Sequence, residues 1–280
     1  MPFTPELFIR LAASLGAAAL ISVGAYRLHS LNRGGAIAAC MVGTIVLWLG
    51  GWRWAAELLA FFMSSSVLSR AFQFRKQALI KFAAKGAVRD AGQVLGNGSI
   101  PAMLALLHGL LPNGAWTWIP FSGALAAVTA DTWATELGTL SKGLPRLITR
   151  PQEKVQKGTS GGISSLGMLA AISGAAFIGL VAAAVMAAPH EIDGLRVFVA
   201  SSLGGLVGSV LDSLAGATVQ AMYFCPVHQQ ETEQHPFHNC GARTILRRGL
   251  PWLNNDWVNL ICSASGAAVA LLTYRAIEAV

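Results

Sequence analysis

Two aspartates within apolar segments are the residues whose type and setting best suit metal-dependent chemistry. Asp131 and Asp212 both stand in the pattern Asp-[Ser/Thr]-x-Ala, surrounded by small and apolar residues. Inserting a charged side chain into the centre of a membrane helix costs about 2.5–3.5 kcal/mol, so such residues are candidates for catalysis. The alternative is a hydrogen-bonded carboxylate that only fixes helix packing. As a pair at matched depth, they are expected to bind Mg²⁺, a hard cation that takes oxygen ligands.

Five further polar residues stand near the ends of apolar segments. We expect Asp90 and Glu136 to take part in catalysis. Asn97, Asn255 and Asp256 are further polar groups at the same membrane face. The Asp and Asn residues that open a segment have an alternative role as helix N-caps, where these residue types are preferred.

A basic, glycine-rich stretch is the candidate phosphate-binding loop. Arg146, Lys154 and Lys157 supply positive charge, and Gly158-Thr159-Ser160-Gly161-Gly162 follows directly. Glycines let backbone N–H groups close around an anion, and the start of the next helix adds partial positive charge. The alternative is a flexible loop whose charge only sets topology. The stretch lacks G-x-x-x-x-G-K-[S/T] and is therefore not a Walker P-loop. Beside metal-binding carboxylates, it predicts phosphoryl transfer.

A cluster of Cys and His residues is the candidate zinc site. Cys225, His228, His238 and Cys240 offer four ligands of the kind that hold structural Zn²⁺ tetrahedrally. Their spacing does not match a standard zinc-finger pattern, and His235 competes with His238 for the third position.

The composition indicates which elements position these residues. Only 12% of residues are charged, against roughly 25% in soluble proteins, and 54% are hydrophobic. The mean hydropathy is +0.55. We therefore predict an all-α, polytopic membrane bundle, surrounded by lipid, that forms a single domain over residues 1–280. Within it, residues 223–251 are predicted to form a cytoplasmic loop with the candidate zinc site.

Eight apolar stretches approach the length of about 20 residues that crosses a bilayer. Only Gly50-Gly51-Trp52-Arg53 separates the second from the third, so these two have alternatives as a re-entrant pair or one long bent helix. The spans are predicted at residues 7–26, 34–51, 54–70, 91–111, 116–140, 163–188, 196–222 and 256–276.

Lys and Arg residues are distributed unevenly between the loops. Segments 70–89 and 141–160 and the loop after the seventh span are basic, whereas the link 189–195 holds Glu191 and Asp193 without Lys or Arg. The link 112–115 has no charge. The positive-inside rule therefore places the three basic loops, and with them the active face, in the cytoplasm and both termini outside.

Five stretches together resemble the phytyl-phosphate kinase family. Its members are polytopic membrane proteins, long catalogued as a domain of unknown function and distantly similar to CTP-dependent phytol and dolichol kinases. The resemblance extends from about residue 30 to the C-terminus. The stretches are RDAGQVLGNG at 89–98, ADTWATELG at 130–138, KGTSGGIS at 157–164, GSVLDS at 208–213 and NNDWVN at 254–259.

The resemblance implies phosphoryl transfer from a nucleoside triphosphate, with CTP expected, to an isoprenyl monophosphate such as phytyl monophosphate. In photosynthetic organisms the resulting diphosphate feeds tocopherol synthesis. The family pattern has Cys where this chain has His228, although His can replace Cys as a zinc ligand. We expect no nucleic-acid partner, and a homodimer is the candidate assembly. By match of motif, Asn97 and Asn255 are expected to bind the nucleotide, and Asp256 is a third candidate ligand for Mg²⁺. The full set of residues that receive candidate roles in this way is Asp90, Asn97, Asp131, Glu136, Lys157, Gly158, Thr159, Ser160, Gly161, Gly162, Asp212, Asn255 and Asp256.

Two other functions fit part of the pattern. Buried carboxylates on similar helices also suit a proton- or cation-coupled transporter, although a carrier does not need a triphosphate-binding loop. A polyprenol kinase or a cytidylyltransferase would use related chemistry on another lipid. A phosphate-transfer assay separates these alternatives.

Overall fold

Helices form along the apolar segments because a helix pairs its own backbone N–H and C=O groups, which a bilayer cannot do. The computed structural model describes residues 5–71, 88–111, 114–186 and 193–279. In this part of the chain eight α-helices and six short strands follow one another: α1 Pro5–Arg27, α2 Arg33–Ile45, α3 Trp52–Ala71, α4 Ala91–Leu110, α5 Trp118–Gly138, β1 Arg146–Leu147, β2 Arg150–Lys154, β3 Gly162–Ile163, α6 Ser165–Met186, α7 Gly194–Thr218, β4 Met222–Cys225, β5 Gln230–Thr232, β6 Ile245–Arg248 and α8 Asn255–Glu278.

The predicted class, a helical membrane bundle, is confirmed. Five helices are long and apolar enough to cross a membrane by length and composition, namely α1, α2 with its extension to Gly50, α6, α7 and α8. The remaining three do not meet that measure. In α5 the polar residues include Asp131 and Glu136, and this helix is enclosed by other helices rather than by lipid.

The second and third predicted spans are separate helices. α2 continues through a π-helical turn, Val46–Gly50, and α3 begins at Trp52. Gly51 between them has a φ of +81°, a conformation that glycine adopts without the strain a Cβ would cause. This turn rules out one long bent helix.

Helix α5 lies at the centre of the bundle. It contacts α3, α4, α6, α7 and α8, and all of its residues from Trp118 to Ala130 are buried. Glycines allow this dense packing. A Cβ added at Gly123 would lie 2.3 Å from the Cβ of Ala270 and 2.5 Å from the carbonyl oxygen of Gly266 on α8. Such close backbone approach is typical of membrane helices that associate through small residues.

Four connecting segments meet at one end of the bundle, which we call the polar end: residues 28–32, 88–90, 139–164 and 219–254. The Arg89 N–H donates to the Ser30 carbonyl at 3.0 Å, which joins the first two segments. The Arg248 guanidinium donates to the Gly216 carbonyl at 2.7 Å and to the Ser160 carbonyl at 3.5 Å, which joins the last two. Most of the basic segment 70–89, which is predicted to face the cytoplasm, lies outside the described residues, namely positions 72–87. Parts of the links 112–115 and 189–195 also lie outside them.

Two small antiparallel sheets replace what the sequence predicted as loops. One has the strand order β2-β1-β3 and the other β5-β4-β6. The predicted sixth span began at residue 163, but Gly162–Ile163 pairs with β1, and α6 begins at Ser165. The predicted seventh span ended at residue 222, but α7 ends at Thr218 because Met222–Cys225 pairs with β5 and β6.

Candidate active site

A polar cavity of about 280 Å³ opens between helices α4, α5, α7 and α8 at the polar end. We call it the polar cavity. Helices supply most of its carboxylates and amides, and the segment 157–164 supplies one wall. Its polar or glycine lining includes Ser69, Arg89, Gln93, Asn97, Asp131, Thr132, Thr135, Glu136, Lys157, Gly158, Thr159, Ser160, Gly161, Gly162, Ser164, Ser209, Asp212, Ser213, Glu233, Asn255 and Asn259.

The two aspartates singled out in the sequence meet inside this cavity. The carboxyl groups of Asp131 on α5 and Asp212 on α7 lie close enough to interact directly. Their helices approach closely, since a Cβ at Gly208 would lie 2.5 Å from the Cβ of Ala127. Two carboxyl groups in contact repel when both are ionised, so the pair requires either a shared proton or a cation.

The chemistry of this pair fits a magnesium ion. The Oδ2 atom of Asp212 is buried and has no hydrogen-bond partner among the described residues. A buried carboxylate oxygen without a partner is costly, and a cation would satisfy it. The Thr132 hydroxyl donates to the Val128 carbonyl at 2.6 Å, which leaves its oxygen lone pairs able to accept. Mg²⁺ is commonly held by one or two carboxylates together with phosphate oxygens and water.

Glu136 lies in the cavity but is already engaged. The Ser69 hydroxyl donates to its Oε1 atom at 2.8 Å, and Arg89 lies close enough to interact with its charge. Burial lowers the pKa of the Arg89 guanidinium, and the negative charge of Glu136 raises it. The arrangement indicates that Glu136 offsets the charge of Arg89 and helps to hold the guanidinium in position.

The segment 157–164 packs tightly against the end of α7. A Cβ on Gly161, whose φ is +80°, would lie 2.6 Å from the backbone nitrogen of Ala217, so only glycine fits there. The Ser160 hydroxyl donates to Gln220 at 2.6 Å, and the Lys157 ammonium donates to the Ser141 carbonyl. These contacts hold the segment across the cavity.

The start of α6 adds a site for negative charge. The Ser164 hydroxyl accepts a hydrogen bond from the Gly167 N–H at 3.1 Å, and both residues line the cavity. A helix N-terminus carries partial positive charge and exposed N–H groups, which favour phosphate. The cavity therefore places two carboxylates opposite a loop and a helix start that suit an anion.

Four predicted site residues lie outside the polar cavity. Asp90 caps α4, where its carboxylate accepts a hydrogen bond from the Gln93 N–H at 2.9 Å. Asp256, on α8, lies against Gly92 at the start of α4. These two line a separate shallow cleft. The Arg146 guanidinium donates to the Pro151 carbonyl at 2.6 Å, and Lys154 is exposed on β2. Neither the start of α4, where Asp90 and Asp256 lie, nor the β1–β2 hairpin brings these side chains to the cavity.

The predicted nucleotide-binding residues Asn97 and Asn255 do line the cavity. Arg89 and Gln93 were not predicted as site residues, although they line it too. The sequence carried a signal for Gln93, which is four residues before Asn97 and shares a helix face with it, whereas Arg89 lies before the helix begins at Ala91. Glu233 was also missed. It reaches the cavity from the turn after β5, where its carboxylate accepts from Gln220 at 2.8 Å.

The predicted zinc ligands lie together on the β5-β4-β6 sheet. The ligand atoms of Cys225, His228, His238 and Cys240 are all within 4.8 Å of one another. The two sulfur atoms are 3.7 Å apart, too far for a disulfide bond of about 2.05 Å. His235 is not part of the cluster, because its ring stacks on Tyr223 with centroids 4.3 Å apart.

The surroundings of Cys225 favour ionisation of its thiol to the thiolate, which is the form that binds a metal ion. Burial opposes its ionisation, but hydrogen bonds from the backbone and ring of His228, from the Val227 N–H and from Cys240 prevail. Together they lower the pKa of Cys225 to about 7. The donor set fits a tetrahedral structural zinc site.

Comparisons of the sequence with known proteins show the family to which the chain belongs. The chain matches the family described as "Integral membrane protein DUF92" over residues 16–267. It is 33% identical over 271 residues to Protein PGR of Arabidopsis thaliana, covering 90% of this chain and 92% of that protein. An uncharacterized membrane protein of Methanocaldococcus jannaschii is 31% identical over 271 residues, 97% of each chain. One from Synechocystis is 27% identical over 235 residues, 83% of this chain and 78% of that protein. No solved structure matches.

Proposed function

This chain belongs to the integral membrane family DUF92, and we propose that it is a Mg²⁺-dependent kinase of isoprenyl monophosphates. It would transfer a phosphoryl group from a nucleoside triphosphate, CTP being the expected donor, to a lipid such as phytyl monophosphate. One observation carries this proposal. The contacting carboxyl groups of Asp131 and Asp212 share a cavity with the segment 157–164 and the start of α6.

The residues of the chain have distinct roles in this proposal. Asp131 and Asp212 hold the Mg²⁺ ion, which when bound supplies positive charge to the phosphates of the donor. Lys157 and the backbone N–H groups of Gly158, Ser160 and Gly161 bind the donor phosphates from the wall that the segment 157–164 forms. Because phosphoryl transfer depends mainly on positioning and charge stabilisation, this arrangement suffices without a covalent intermediate. The acceptor is already an ionised phosphate, so no general base is required.

The alternatives differ in what they do with the nucleotide. A cytidylyltransferase would attach the nucleotide to the lipid and release pyrophosphate. A polyprenol kinase would use an alcohol as acceptor, and a cation- or proton-coupled transporter would consume no nucleotide. The buried first half of α5 argues against the transporter, because a carrier requires a path that reaches both sides of the membrane.

The test is a product analysis with purified protein in nanodiscs. CTP or ATP labelled at the γ-phosphate is supplied with Mg²⁺ and either phytyl monophosphate or phytol. We expect the label in phytyl diphosphate and release of the nucleoside diphosphate, with no product from phytol. Label in pyrophosphate would indicate the cytidylyltransferase, and a product from phytol the polyprenol kinase. Absence of nucleotide turnover under all these conditions would contradict a kinase.

A further inference from the structure

A second cavity, of about 380 Å³, lies between helices α1, α2, α3 and α4. We call it the apolar cavity. Aliphatic and aromatic side chains from all four helices line it, including Ile21, Val42, Leu58, Phe62 and Val94. The charged or amide-bearing side chains in its lining, within the described part of the chain, are Arg89, Gln93 and Asn97.

Those three residues also line the polar cavity. Gln93 and Asn97 are four residues apart on one face of α4, and Arg89 lies in the extended segment directly before this helix. The three residues form a strip of polar side chains that lines both cavities. An amphiphilic molecule with its chain in the apolar cavity would therefore have its head group at the strip. From there the head group would face the cavity that contains Asp131 and Asp212.

The strip has the chemistry of a phosphate site. The Arg89 guanidinium lies 5.7 Å from the ring centroid of Phe61 and 6.0 Å from that of Phe62, at the boundary between the apolar and polar linings. Arginine binds phosphate through several parallel N–H groups, and the side-chain amides of Gln93 and Asn97 can donate further hydrogen bonds.

The size of the apolar cavity limits what it can hold. Trp52 and Phe62 on α3 both line it, and ten residues of helix between them correspond to about 15 Å. An engineered protein cavity of roughly 150 Å³ takes up one benzene molecule. By that scale a cavity of 380 Å³ holds one hydrocarbon chain of roughly 15 carbon atoms. The two acyl chains of a diacyl phospholipid would not fit.

We infer that the apolar cavity binds the hydrocarbon chain of the lipid substrate, a single-chain isoprenyl monophosphate, whose phosphate lies at Arg89, Gln93 and Asn97. This inference rests on the proposed kinase function and adds where the acceptor binds. The exposed side chains of α1, including Leu20 at 76% exposure, face the bilayer in this scheme, so the substrate reaches the cavity from the lipid.

The test is photo-crosslinking of the full chain in nanodiscs, without nucleotide. The probe is a farnesyl monophosphate analogue, whose chain has about 15 carbon atoms, with a diazirine at the far end of that chain, and mass spectrometry maps the crosslinks. We expect crosslinks to the cavity-lining residues of α1, α2 and α3. An excess of unlabelled farnesyl monophosphate should compete, whereas inorganic phosphate, farnesol or a diacyl phosphatidate should compete at least tenfold more weakly.

Two variants fill the cavity and one serves as a control. Ala39→Phe and Ala56→Phe place a ring in the apolar cavity and should each reduce crosslinking at least tenfold. Ala13→Phe adds the same ring on the exposed face of α1 and should not change crosslinking. The thermal unfolding midpoint and the elution profile of each variant show whether it is folded.

The result that overturns the inference is specific. Crosslinks confined to α6 or α7, or undiminished labelling of both folded Phe variants, would show that the chain binds elsewhere. Equal competition by phosphatidate or by inorganic phosphate would also contradict it. If labelling maps to α1–α3 but the protein consumes no nucleotide, the lipid site stands and the kinase proposal fails. If transfer proceeds and the Phe variants match the parent, only the lipid site fails.

Discussion

Three acids on the helices of this protein, one buried and two half-buried, show how the surroundings of a residue decide its role. Glu57 on α3 is completely buried, and the Ser122 hydroxyl donates to its Oε2 atom at 3.0 Å. Its neighbourhood is the apolar core around Trp54 and Phe121. Asp131 and Asp212 are instead in contact with each other at the wall of a polar cavity. A pair of acids open to a ligand is suited to bind a cation, whereas a single acid enclosed by rings contributes to packing.

Lys157 provides a test at the scale of one residue. It lines the polar cavity, while Lys154, three residues earlier, is exposed on β2. A hydrogen bond to a charged group contributes about 1.5–3 kcal/mol, so Lys157→Gln should raise the KM for the nucleotide roughly 10- to 100-fold. Lys154→Gln removes the same charge from the same segment and should leave KM nearly unchanged.

Steady-state kinetics over a range of nucleotide concentrations measure both variants. Equal effects of the two substitutions would mean that the segment contributes only its net charge. That result would contradict a direct contact between Lys157 and the donor phosphates.

At the scale of elements, the sequence predicted the helices that carry the site and missed the strands that complete it. Asp131 and Asp212 stood out because a charge inside an apolar run is rare. Strands such as Gly162–Ile163, of only two residues, are too short to leave an alternating pattern. Long-range contacts were also invisible, because Arg89 resembles any other loop cation until α5 places Glu136 beside it.

The Cys and His cluster provides a test of the β5-β4-β6 sheet as an element. We propose that Cys225, His228, His238 and Cys240 bind a structural zinc ion, which holds the turn that carries Glu233 to the polar cavity. Metal analysis of the purified protein should find about one zinc per chain. Cys225→Ser should remove most of that zinc and lower the thermal unfolding midpoint.

The matched control for the zinc test is Cys40→Ser. Cys40 is a half-buried residue of α2, far from the sheet in sequence and not part of the cluster, so its substitution should retain the zinc. A parent protein that is active yet free of zinc would contradict the site.

At the scale of the whole molecule, the fold gathers the site at one end of the bundle. Four connecting segments lie there, and hydrogen bonds join 28–32 to 88–90 and 139–164 to 219–254. Asp193 caps α7 at its opposite end. The excess of Lys and Arg at the polar end predicts that it faces the cytoplasm. A kinase that uses cytoplasmic nucleotide requires this orientation.

Labelling of introduced cysteines tests the orientation. In intact cells a membrane-impermeant maleimide should label Asp193→Cys at once. Lys142→Cys should react only after the membrane is permeabilised, because residue 142 lies at the polar end. Peptide mapping separates these positions from the native cysteines. Labelling of both positions from the same side would contradict the proposed topology.

The most direct test of the central claim is the rate of phosphoryl transfer in variants of the carboxylate pair. Asp131→Asn and Asp212→Asn keep size and hydrogen bonding but remove a charge, so a pair that only packs the helices would tolerate them. We predict that each variant folds normally, loses at least about 100-fold in rate and needs more Mg²⁺ for half-maximal activity. Asp193→Asn, a change at a helix cap where both residues are favoured, should leave the rate unchanged. A folded Asp131→Asn, Asp212→Asn double variant that turns over at the parent rate would contradict the account.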